Sequence, residues 1–508
     1  MRNVFIVLSY CLLYSFPACS QLFPADSSVL NYRIIGFTFP SDPKANNYKL
    51  EIESGKKSGG EFGKSIITAV NGKSNRIIAE VPTFGSSYCW RVIAYKNSKI
   101  VSTGPVHYFS TGTSNFLDTA RHRMEITHQA EKFKDAYIFT DATRALYNMK
   151  GQPVWYLPPL EGVQRDNAAV RDLKLSCKGT ITFLLEGDIF EVNYNGKILW
   201  RGPSGRKIKS DTLQGYHHEM TRLSNGHYMS LGFEPVLKRT MSVNRDSIMR
   251  AMRSDTSKAQ SLRTSMRKPR YGNLLEYDEA GNEVWSWEAA KYFTSIDLTP
   301  YKNYNGGAQS DVHENSFYFD EPNKVIYVGF RNLSQVLKIS YPSGKVLKAY
   351  GSIDQSPNGS FNNLFCGQHA CKASDNGYLY LFNNGCDISE LPEVIKLREP
   401  VTAKDTLAKI WSFTCPAENT NLKLPHERKQ LTSGGNVVEL PDQSLLVSTC
   451  SPYSSIFIVS KDKEILWHAS IEKMNPAGNL WQPSPLYRAS IIQDSEQLEN
   501  LIWNGIEK

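Results

Sequence analysis

Short stretches in which apolar and polar residues alternate follow one another along the chain, separated by turns rich in Gly, Asn and Asp. Alternation with a period of two is the pattern of β-strands, because successive side chains point to opposite faces of a sheet. Aromatic residues make up 11% of the 508 residues, and such rings pack well on half-buried sheet surfaces. The sequence therefore predicts an all-β protein.

From about residue 31 to residue 112 the predicted strands are short, and turns recur roughly every 8–12 residues, which is typical of a β-sandwich. The strand YCWRV and the closing strand YFST resemble those of an immunoglobulin-like or fibronectin type III module. We expect a module of this kind over residues 29–113. Its role would be to bind, to pack or to act as a spacer.

From about Ser114 onward the chain repeats a unit of two hairpins. The first hairpin has a polar opening, a Gly/Asn/Asp turn and an apolar strand. The second hairpin ends in Lys348 in the fourth copy and in Trp in the others, at Trp155, Trp200, Trp285, Trp411 and Trp467. Six four-stranded units of roughly 40–75 residues, without helices between them, predict a six-bladed β-propeller over residues 114–508.

Two units depart from this repeat. The first unit lacks a clear first hairpin, so we expect Pro485–Gln493 to supply its closing strand. The third unit carries an insert, Lys238–Arg270, with ten Lys and Arg against two Asp. We interpret the insert as a solvated, partly helical excursion. A cationic lid or anion-steering surface is the functional alternative.

The N-terminus has the pattern of an export signal. A basic residue precedes the apolar stretch Val4–Phe16, which is too short to span a bilayer. Small residues at positions 18 and 20 suit cleavage before Gln21, which would make residues 1–20 a signal peptide. Alternatively, Cys19 is lipidated and attaches the protein to a membrane. Both interpretations predict an exported protein in the periplasm.

Charge and cysteine content narrow the range of partners. The net charge is +8 without a tail of like charge, and we expect no nucleic-acid partner. Seven cysteines lie outside the signal, at a low density and without zinc-finger spacing, so the chain is not a disulfide scaffold. A bridge between Cys366 and Cys371 is disfavoured, because strand residues on opposite faces rarely bridge. A homodimer is left open.

Histidine is rare, with 10 in 508 residues, yet three histidines occupy the same place in successive hairpins. His218 lies eight residues before Gly226, and His369 lies eight residues before Gly377. His313 opens the corresponding hairpin of the unit between them, which has a slightly longer turn. Equivalent places in a propeller meet around its central axis. We therefore predict that the three histidines cluster at one mouth of the channel.

Three histidines could bind zinc or perform acid–base and nucleophilic chemistry. Asn315 lies two residues after His313, on the same face of a strand, and Arg331 follows the apolar strand of that hairpin. A permanent cation beside histidines weakens the case for a metal dication. It suits an anion whose several oxygens must be held at once. We expect neither a metal nor another cofactor.

The stretches HHEM..L.NG, VHENSFYFDEPNKVIYVGFRNLSQVLKI and QHACKASDNGYLYLFNNG resemble the bacterial aryl sulfate sulfotransferases. The resemblance covers the whole repeat region. The order His-x-Asn, then Arg eighteen residues after that His, then Gln-His is more specific than any single motif. It implies a propeller with an N-terminal β-sandwich. It also implies sulfuryl transfer from an aryl sulfate to a phenol, independent of PAPS, by a ping-pong route through a sulfohistidine.

The resemblance also implies roles for individual residues. His369 matches the nucleophile, His313 and Arg331 match catalytic residues of the sulfate site, and Asn315 matches a substrate-binding residue. The implied partners are small aryl sulfates and phenols.

For the doublet His217–His218, the number of residues between the histidine and the turn glycine (the turn register) decides which of the two is assigned to the site. His218 shares the register of His369, so we assign it the acid–base role, keep His217 as second choice, and expect His217 to point into the interface between blades. Two alternatives to a sulfotransferase are open. One is a non-catalytic propeller that binds sulfated ligands, and the other is a histidine–metal hydrolase of sulfate esters.

Overall fold

The computed structural model describes residues 22–55, 62–63, 65–164, 168–203, 207–208, 211–212, 215–235, 270–293, 312–351, 364–374, 376–385, 391–402, 405–416 and 434–507. The predicted signal peptide, with Cys19, lies outside the described residues, as does the basic insert except for Arg270. The chain divides into two compact units between Gly112 and Thr113.

The first unit consists of strands β1 Ser28–Leu30, β2 Ile34–Thr38, β3 Asn47–Ser54, β4 Ile67–Asn71, β5 Arg76–Glu80, β6 Ser87–Lys96, β7 Lys99–Thr103 and β8 His107–Thr111. One sheet has the order β1-β8-β6-β3-β4, with β7 on β6, and β2 pairs with β5 in a second sheet. Phe37 of β2 contacts Trp90 and Phe109 of the first sheet, with ring centroids 5.1 and 6.0 Å apart, so the two sheets share a core. The assignment of the first unit to the immunoglobulin or fibronectin class stays a prediction.

In the second unit, the described residues form six sheets, each with at least four antiparallel strands. The strands are, in sheet 1, β10 Tyr137–Thr140, β11 Ala145–Asn148, β12 Pro153–Tyr156 and β36 Ala489–Ile492; in sheet 2, β13 Val170–Leu175, β14 Ile181–Leu185, β15 Asp188–Val192 and β16 Ile198–Arg201; in sheet 3, β19 Tyr216–Arg222, β20 Tyr228–Pro235, β21 Arg270–Tyr277 and β22 Glu283–Glu288; in sheet 4, β23 Glu314–Asp320, β24 Val325–Phe330, β25 Gln335–Ser340 and β26 Val346–Tyr350; in sheet 5, β27 His369–Ala373, β28 Tyr378–Asn383, β29 Glu393–Arg398 and β30 Ala408–Thr414; and in sheet 6, β9 His122–His128, β31 Asn436–Glu439, β32 Leu445–Ser448, β33 Ser455–Val459, β34 Ile465–Met474 and β35 Trp481–Pro483.

Among the residues that the structure describes, few other elements occur. They are the strand pair β17 Lys207–Ile208 and β18 Asp211–Thr212, the helices α1 Ala289–Tyr292 and α2 Ser495–Glu507, and the 3-10 turns Asn115–Leu117 and Glu131–Phe133. Within the part of the chain that the structure describes, no helix combines the length and the apolar character needed to cross a membrane. Strands make up most of the regular structure of the described residues, so the all-β prediction is confirmed.

Sheet 1 combines the beginning and the end of the second unit. Strand β36 pairs antiparallel with β10, so that Ala489 lies opposite Thr140 and Ile492 lies opposite Tyr137. The predicted closing strand within Pro485–Gln493 is confirmed. It occupies the sheet edge that the first strand of the first hairpin occupies in the other sheets.

The repeated Trp residues connect successive sheets. Trp200 of sheet 2 stacks on Tyr228 of sheet 3, with ring centroids 3.6 Å apart. Four other indoles donate from Nε1 to a backbone carbonyl of another sheet, at 2.7–3.1 Å: Trp155 to Tyr194, Trp285 to Pro342, Trp411 to Lys461, and Trp467 to Met149. The last of these bonds joins sheet 6 to sheet 1. Trp155 and Trp467 are fully buried, and a buried indole N–H needs an acceptor, so at these two positions the contact explains why Trp is used.

Candidate functional site

The three histidines selected by the turn register lie where the first strands of three sheets begin. His218 is in β19, His313 directly precedes β23, and His369 opens β27. The ligand-capable nitrogens of the three side chains all lie within 4.8 Å of one another. The His218 ring centroid is 5.1 Å from that of His313 and 6.4 Å from that of His369. The predicted cluster is therefore present; we call it the histidine cluster.

A distortion of each strand aims these side chains at one point. The pairing register of β19, β23 and β27 shifts at or just after the histidine. The backbone φ is positive at His218 (62°), at His313 (52°) and at Ala370 (51°). Such φ values are uncommon outside Gly and cost roughly 1 kcal/mol or more. Bulges of this kind re-aim side chains, so strict alternation of faces does not hold at these openings.

His218 is buried and hydrogen-bonded to its neighbour. Its Nδ1 lies 2.6 Å from Nδ1 of His217, so one ring donates to the other. Burial, and then the charges of His217, His313 and His369, lowers the pKa of His218 well below its usual value. His218 is therefore neutral near pH 7. Because Nδ1 is engaged, Nε2 is the nitrogen left to face the cluster.

His217 is also buried but belongs to different surroundings. Its ring stacks on Phe233 of β20, with ring centroids 3.7 Å apart. We expected His217 between two blades, whereas this partner belongs to its own sheet. His217 is not among the three histidines whose nitrogens converge. The geometry thus separates the roles of the two residues in the doublet.

His369 is fully buried, and a hydrogen-bonded amide supports its ring. Nδ2 of Asn384 lies 2.9 Å from Nδ1 of His369 and donates to the carbonyls of Gly367 and Gly434 at 3.0 and 3.1 Å. Burial, and then the charge of Arg331, lowers the pKa of His369 well below its usual value; a hydrogen bond to the Gly367 backbone acts in the opposite direction. We assign the proton to Nδ1, because both hydrogens of the Asn384 amide can go to the two carbonyls while Nδ1–H bonds the Gly367 carbonyl; this leaves the lone pair on Nε2.

Arg331 and Asn315 lie beside the cluster in different ways. Arg331 follows β24, and its backbone N–H donates to the carbonyl of His313 at 2.9 Å. The buried Asn315 donates from Nδ2 to the carbonyl of Gln368 at 2.7 Å, and its Oδ1 accepts from Ser316 at 3.3 Å. The amide of Asn315 therefore supports the backbone that carries His369.

The closing segment contributes a tyrosine that the sequence pattern did not indicate. The ring centroid of Tyr487 is 5.9 Å from that of His218 and 6.4 Å from that of His369. The backbone N–H groups of Tyr487 and Arg488 donate to Asp141 at 3.1 and 2.8 Å, which fixes this segment. Burial raises the pKa of Tyr487 to about 12. The segment precedes β36 as His313 precedes β23, and this equivalence could have identified it.

A buried ion network, formed around Glu219 and Arg488, adjoins the histidine cluster. Arg488 contacts Asp172 at 3.0 Å and Glu219 at 3.2 Å, and Glu219 also pairs with Lys372. Burial by itself would raise the pKa of Glu219, but nearby positive charges, led by Lys372 and Arg488, lower it to about 2. Glu219 is thus ionised, and cations contact both its carboxylate and that of Asp172.

The cluster could hold a metal or an anion, and its surroundings favour the anion. Nitrogen ligands of a tetrahedral zinc ion lie about 3.3 Å apart, because Zn–N bonds are about 2.0–2.1 Å long. The separations here extend to 4.8 Å. The charges of Arg331 and Arg488 act on His369 and oppose a further cation.

One of the two cysteines that flank His369 forms a disulfide. Cys366 is disulfide-bonded, whereas Cys371 is a free cysteine. The bridge between Cys366 and Cys371 is therefore not formed. Cys371 is instead buried in an apolar cluster with Tyr350 and Leu381, where burial raises the pKa of its thiol.

Comparison with known proteins identifies one family whose model matches the chain. A model of the arylsulfotransferase (ASST) family matches residues 123–403, more than half of the chain. No curated protein matches the chain. Similar solved structures include a protein of unknown function from Bacteroides caccae (TM-score 0.38, 11% identity, covering 73% of this chain and 99% of that one) and an auxiliary nutrient binding protein from Bacteroides thetaiotaomicron (0.33, 11%, 89% and 85%). Because these TM-scores are low, the family assignment depends on the sequence match alone.

Proposed function

Because the chain belongs to the arylsulfotransferase family, we propose that it moves a sulfuryl group from an aryl sulfate to a phenol through a covalent sulfohistidine at His369, without PAPS. Membership of the family supports sulfotransferase activity on aryl sulfates and phenols. The observation that carries the covalent route is the neutral, buried His369, which lies within reach of two other histidines and beside Arg331.

In the first half-reaction, Nε2 of His369 attacks the sulfur atom. The N–S bond forms while the S–O bond to the aryl group breaks, and the aryl oxygen leaves with the bonding electrons. A neutral imidazole is a competent nucleophile near pH 7, and phenoxide is a tolerable leaving group because phenols titrate near ~10. Arg331 and His313 would hold the sulfuryl oxygens, and the guanidinium of Arg331 would balance their charge.

His218 would supply the proton for the leaving oxygen, with His217 as second choice. In the free enzyme the pKa of His218 is so low that the ring carries no second proton to donate to the leaving oxygen near pH 7. A bound sulfate ester brings a negative charge beside the ring, which favours the protonated form. In the second half-reaction neutral His218 takes the proton of the acceptor phenol, whose oxygen attacks sulfur while the S–N bond breaks. General acid–base catalysis of this kind contributes roughly 10²–10⁴-fold.

Asn315 is proposed as a positioning residue, which revises the substrate-binding role that the resemblance implied. Its Nδ2 holds the Gln368 carbonyl at 2.7 Å, and its own carbonyl accepts from Arg488 at 3.0 Å. These bonds link sheet 4 and the closing segment to the residue before His369.

We further propose that the six sheets are the blades of one closed propeller. Support comes from the Trp bonds between sheets, including the bond from Trp467 to Met149, and from the pairing of β36 with β10. Export to the periplasm after cleavage of residues 1–20 is also a proposal, with lipid attachment at Cys19 as the alternative. Mass determination of the mature N-terminus distinguishes the two.

Incubation with 4-nitrophenyl sulfate alone, followed by digestion and mass spectrometry, tests the covalent route. We expect an adduct of about 80 Da, the mass of SO₃, on the peptide that contains His369. The adduct should be absent from His369→Ala and present in His227→Ala, whose ring pairs with Glu276 at 2.8 Å away from the cluster. Transfer to phenol without an adduct would refute the covalent route, and no transfer from any aryl sulfate would refute the function.

A metal-dependent sulfate-ester hydrolase is the second candidate, because three histidine nitrogens converge. It predicts stoichiometric zinc by elemental analysis and hydrolysis that a chelator abolishes. Transfer that is insensitive to chelators would exclude it. Tight binding of aryl sulfates without turnover would instead indicate a binding protein.

A further inference from the structure

Arg171 occupies the place in sheet 2 that His218 and His369 occupy in sheets 3 and 5. It lies eight residues before Gly179, the same interval that separates each of these histidines from its turn glycine. The pairing register of β13 shifts directly after Arg171, as it does at the other openings. Sheet 2 thus contributes a guanidinium where its neighbours contribute imidazoles.

The guanidinium of Arg171 lies close to the histidine cluster. Its Cζ is 5.1 Å from the centroid of the Tyr487 ring, and that ring contacts both His218 and His369. The charge of Arg171 also acts on His218. Unlike the two histidines, Arg171 is exposed to solvent, so it lies at the rim of the site.

The charge of Arg171 is not neutralised within the described residues. The neighbouring carboxylate of Asp172 is taken by Lys174 at 2.7 Å and by Arg488 at 3.0 Å. Among the residues that the structure covers, none forms an ion pair or hydrogen bond with the Arg171 guanidinium, which lies over the Tyr487 ring. That contact is worth about 0.5–1 kcal/mol at an exposed site and leaves the five N–H donors available.

We propose that Arg171 binds a second anionic group on the aromatic substrate, so that the preferred aryl sulfates and phenols carry an anionic substituent such as a carboxylate. This inference rests on the proposed function, since it concerns the same site. An arginine fork binds a carboxylate through two parallel hydrogen bonds. A ring whose sulfate lies at the histidines directs its far substituent across Tyr487, which is 5.9 Å from His218 and 5.1 Å from Arg171.

Binding tests the inference without requiring turnover. Calorimetry on the full chain compares 4-hydroxybenzoate with its neutral isostere 4-hydroxybenzamide, in the wild type, Arg171→Gln, Arg171→Lys and Lys150→Gln. Lys150 is exposed on a turn of sheet 1, so its substitution removes the same charge elsewhere. We expect the wild type and Lys150→Gln to prefer the acid roughly 5- to 10-fold, and Arg171→Gln to lose the preference. Arg171→Lys should retain part of it, because a point charge lacks the fork.

An equal preference in the wild type and Arg171→Gln, or none in the wild type, would overturn the inference. Turnover of the corresponding 4-sulfooxy donors separates this result from the function itself. If neither donor reacts while the binding preference disappears in Arg171→Gln, only the proposed function fails. If both donors react and the ratio of their kcat/KM values is unchanged in Arg171→Gln, only the role of Arg171 fails. The ratio is compared because loss of a charge near His218 changes kcat/KM for both donors by the same factor.

Discussion

Glu219 stands at the centre of the buried ion network, and its substitution tests what holds the strand openings together. Its carboxylate pairs with Lys372, contacts Arg488 at 3.2 Å and accepts the backbone N–H of Phe317 at 3.2 Å. Only 1% of the residue is exposed. Glu219→Gln preserves the size of the side chain and a carbonyl acceptor. However, it removes the counter-charge of the half-buried Lys372 and leaves the buried Arg488 paired with Asp172 alone.

The expected cost follows from the pKa and agrees with mutational experience. A pKa of about 2, against an ordinary 4.5, corresponds to roughly 3 kcal/mol of stabilisation of the charged form at neutral pH. Removal of one member of a buried ion pair costs about 3–5 kcal/mol. Because the folded pKa is the lower one, this stability is present above pH 4.5. It is lost as the pH falls through 2.

Urea unfolding at pH 7, followed by tryptophan fluorescence, measures this loss. We expect Glu219→Gln to lower the free energy of unfolding of the second unit by about 3 kcal/mol. The control is Glu279→Gln, since Glu279 is 70% exposed and its pair with Arg222 at 2.6 Å should contribute less than about 1 kcal/mol. The double variant Glu219→Leu/Lys372→Met should recover part of the loss, because it removes both partners. A loss below about 1 kcal/mol in Glu219→Gln would refute this account of the network.

Three further predictions concern the cluster. His218→Ala should lower kcat roughly 10²–10⁴-fold and His217→Ala less, because only His218 belongs to the converging nitrogens; the reverse order in a transfer assay would contradict the turn register. On acidification from about pH 7, the rate of adduct formation should decline only as the pH approaches the low pKa of His369, since protonation removes the nucleophilic lone pair; a decline that begins above about pH 6.5 on acidification, measured by rapid-quench mass spectrometry, would contradict this. Asn315→Ala should lower kcat with little change in KM, because it releases the Gln368 carbonyl, and a mainly increased KM would indicate substrate contact instead.

The parts of the site that depend on local hairpin geometry could be predicted from the sequence. The interval from a turn glycine to the strand opening is set by the hairpin, so counting residues located His218 and His369, and His313 by comparison. The closing strand followed from a missing hairpin in the first unit. Both inferences need only the repeat and no knowledge of side-chain contacts.

Other parts depend on contacts between sheets, which the repeat does not encode. Alternation along a strand predicted the side chain of Asn315 on the face of His313, but the bulge, with φ of 52° at His313, breaks the alternation. The amide therefore serves the Gln368 carbonyl. Tyr487 reaches the cluster because the chain end completes sheet 1, and its register follows from pairing with β10 rather than from a turn.

In the proposed mechanism, the charges around the cluster explain how His369 can stay unprotonated while His218 becomes an acid. Glu219 and Asp172 are held by cations, so the charges acting on the cluster are positive, from Arg331, Arg488 and Arg171. In the free protein this field and burial lower the pKa of His369 and keep its ring neutral, as the proposed nucleophilic role requires. A sulfate ester brings a compensating negative charge, which permits protonation nearby only when substrate is bound. Protonation of the acid is thereby linked to arrival of the group that requires it.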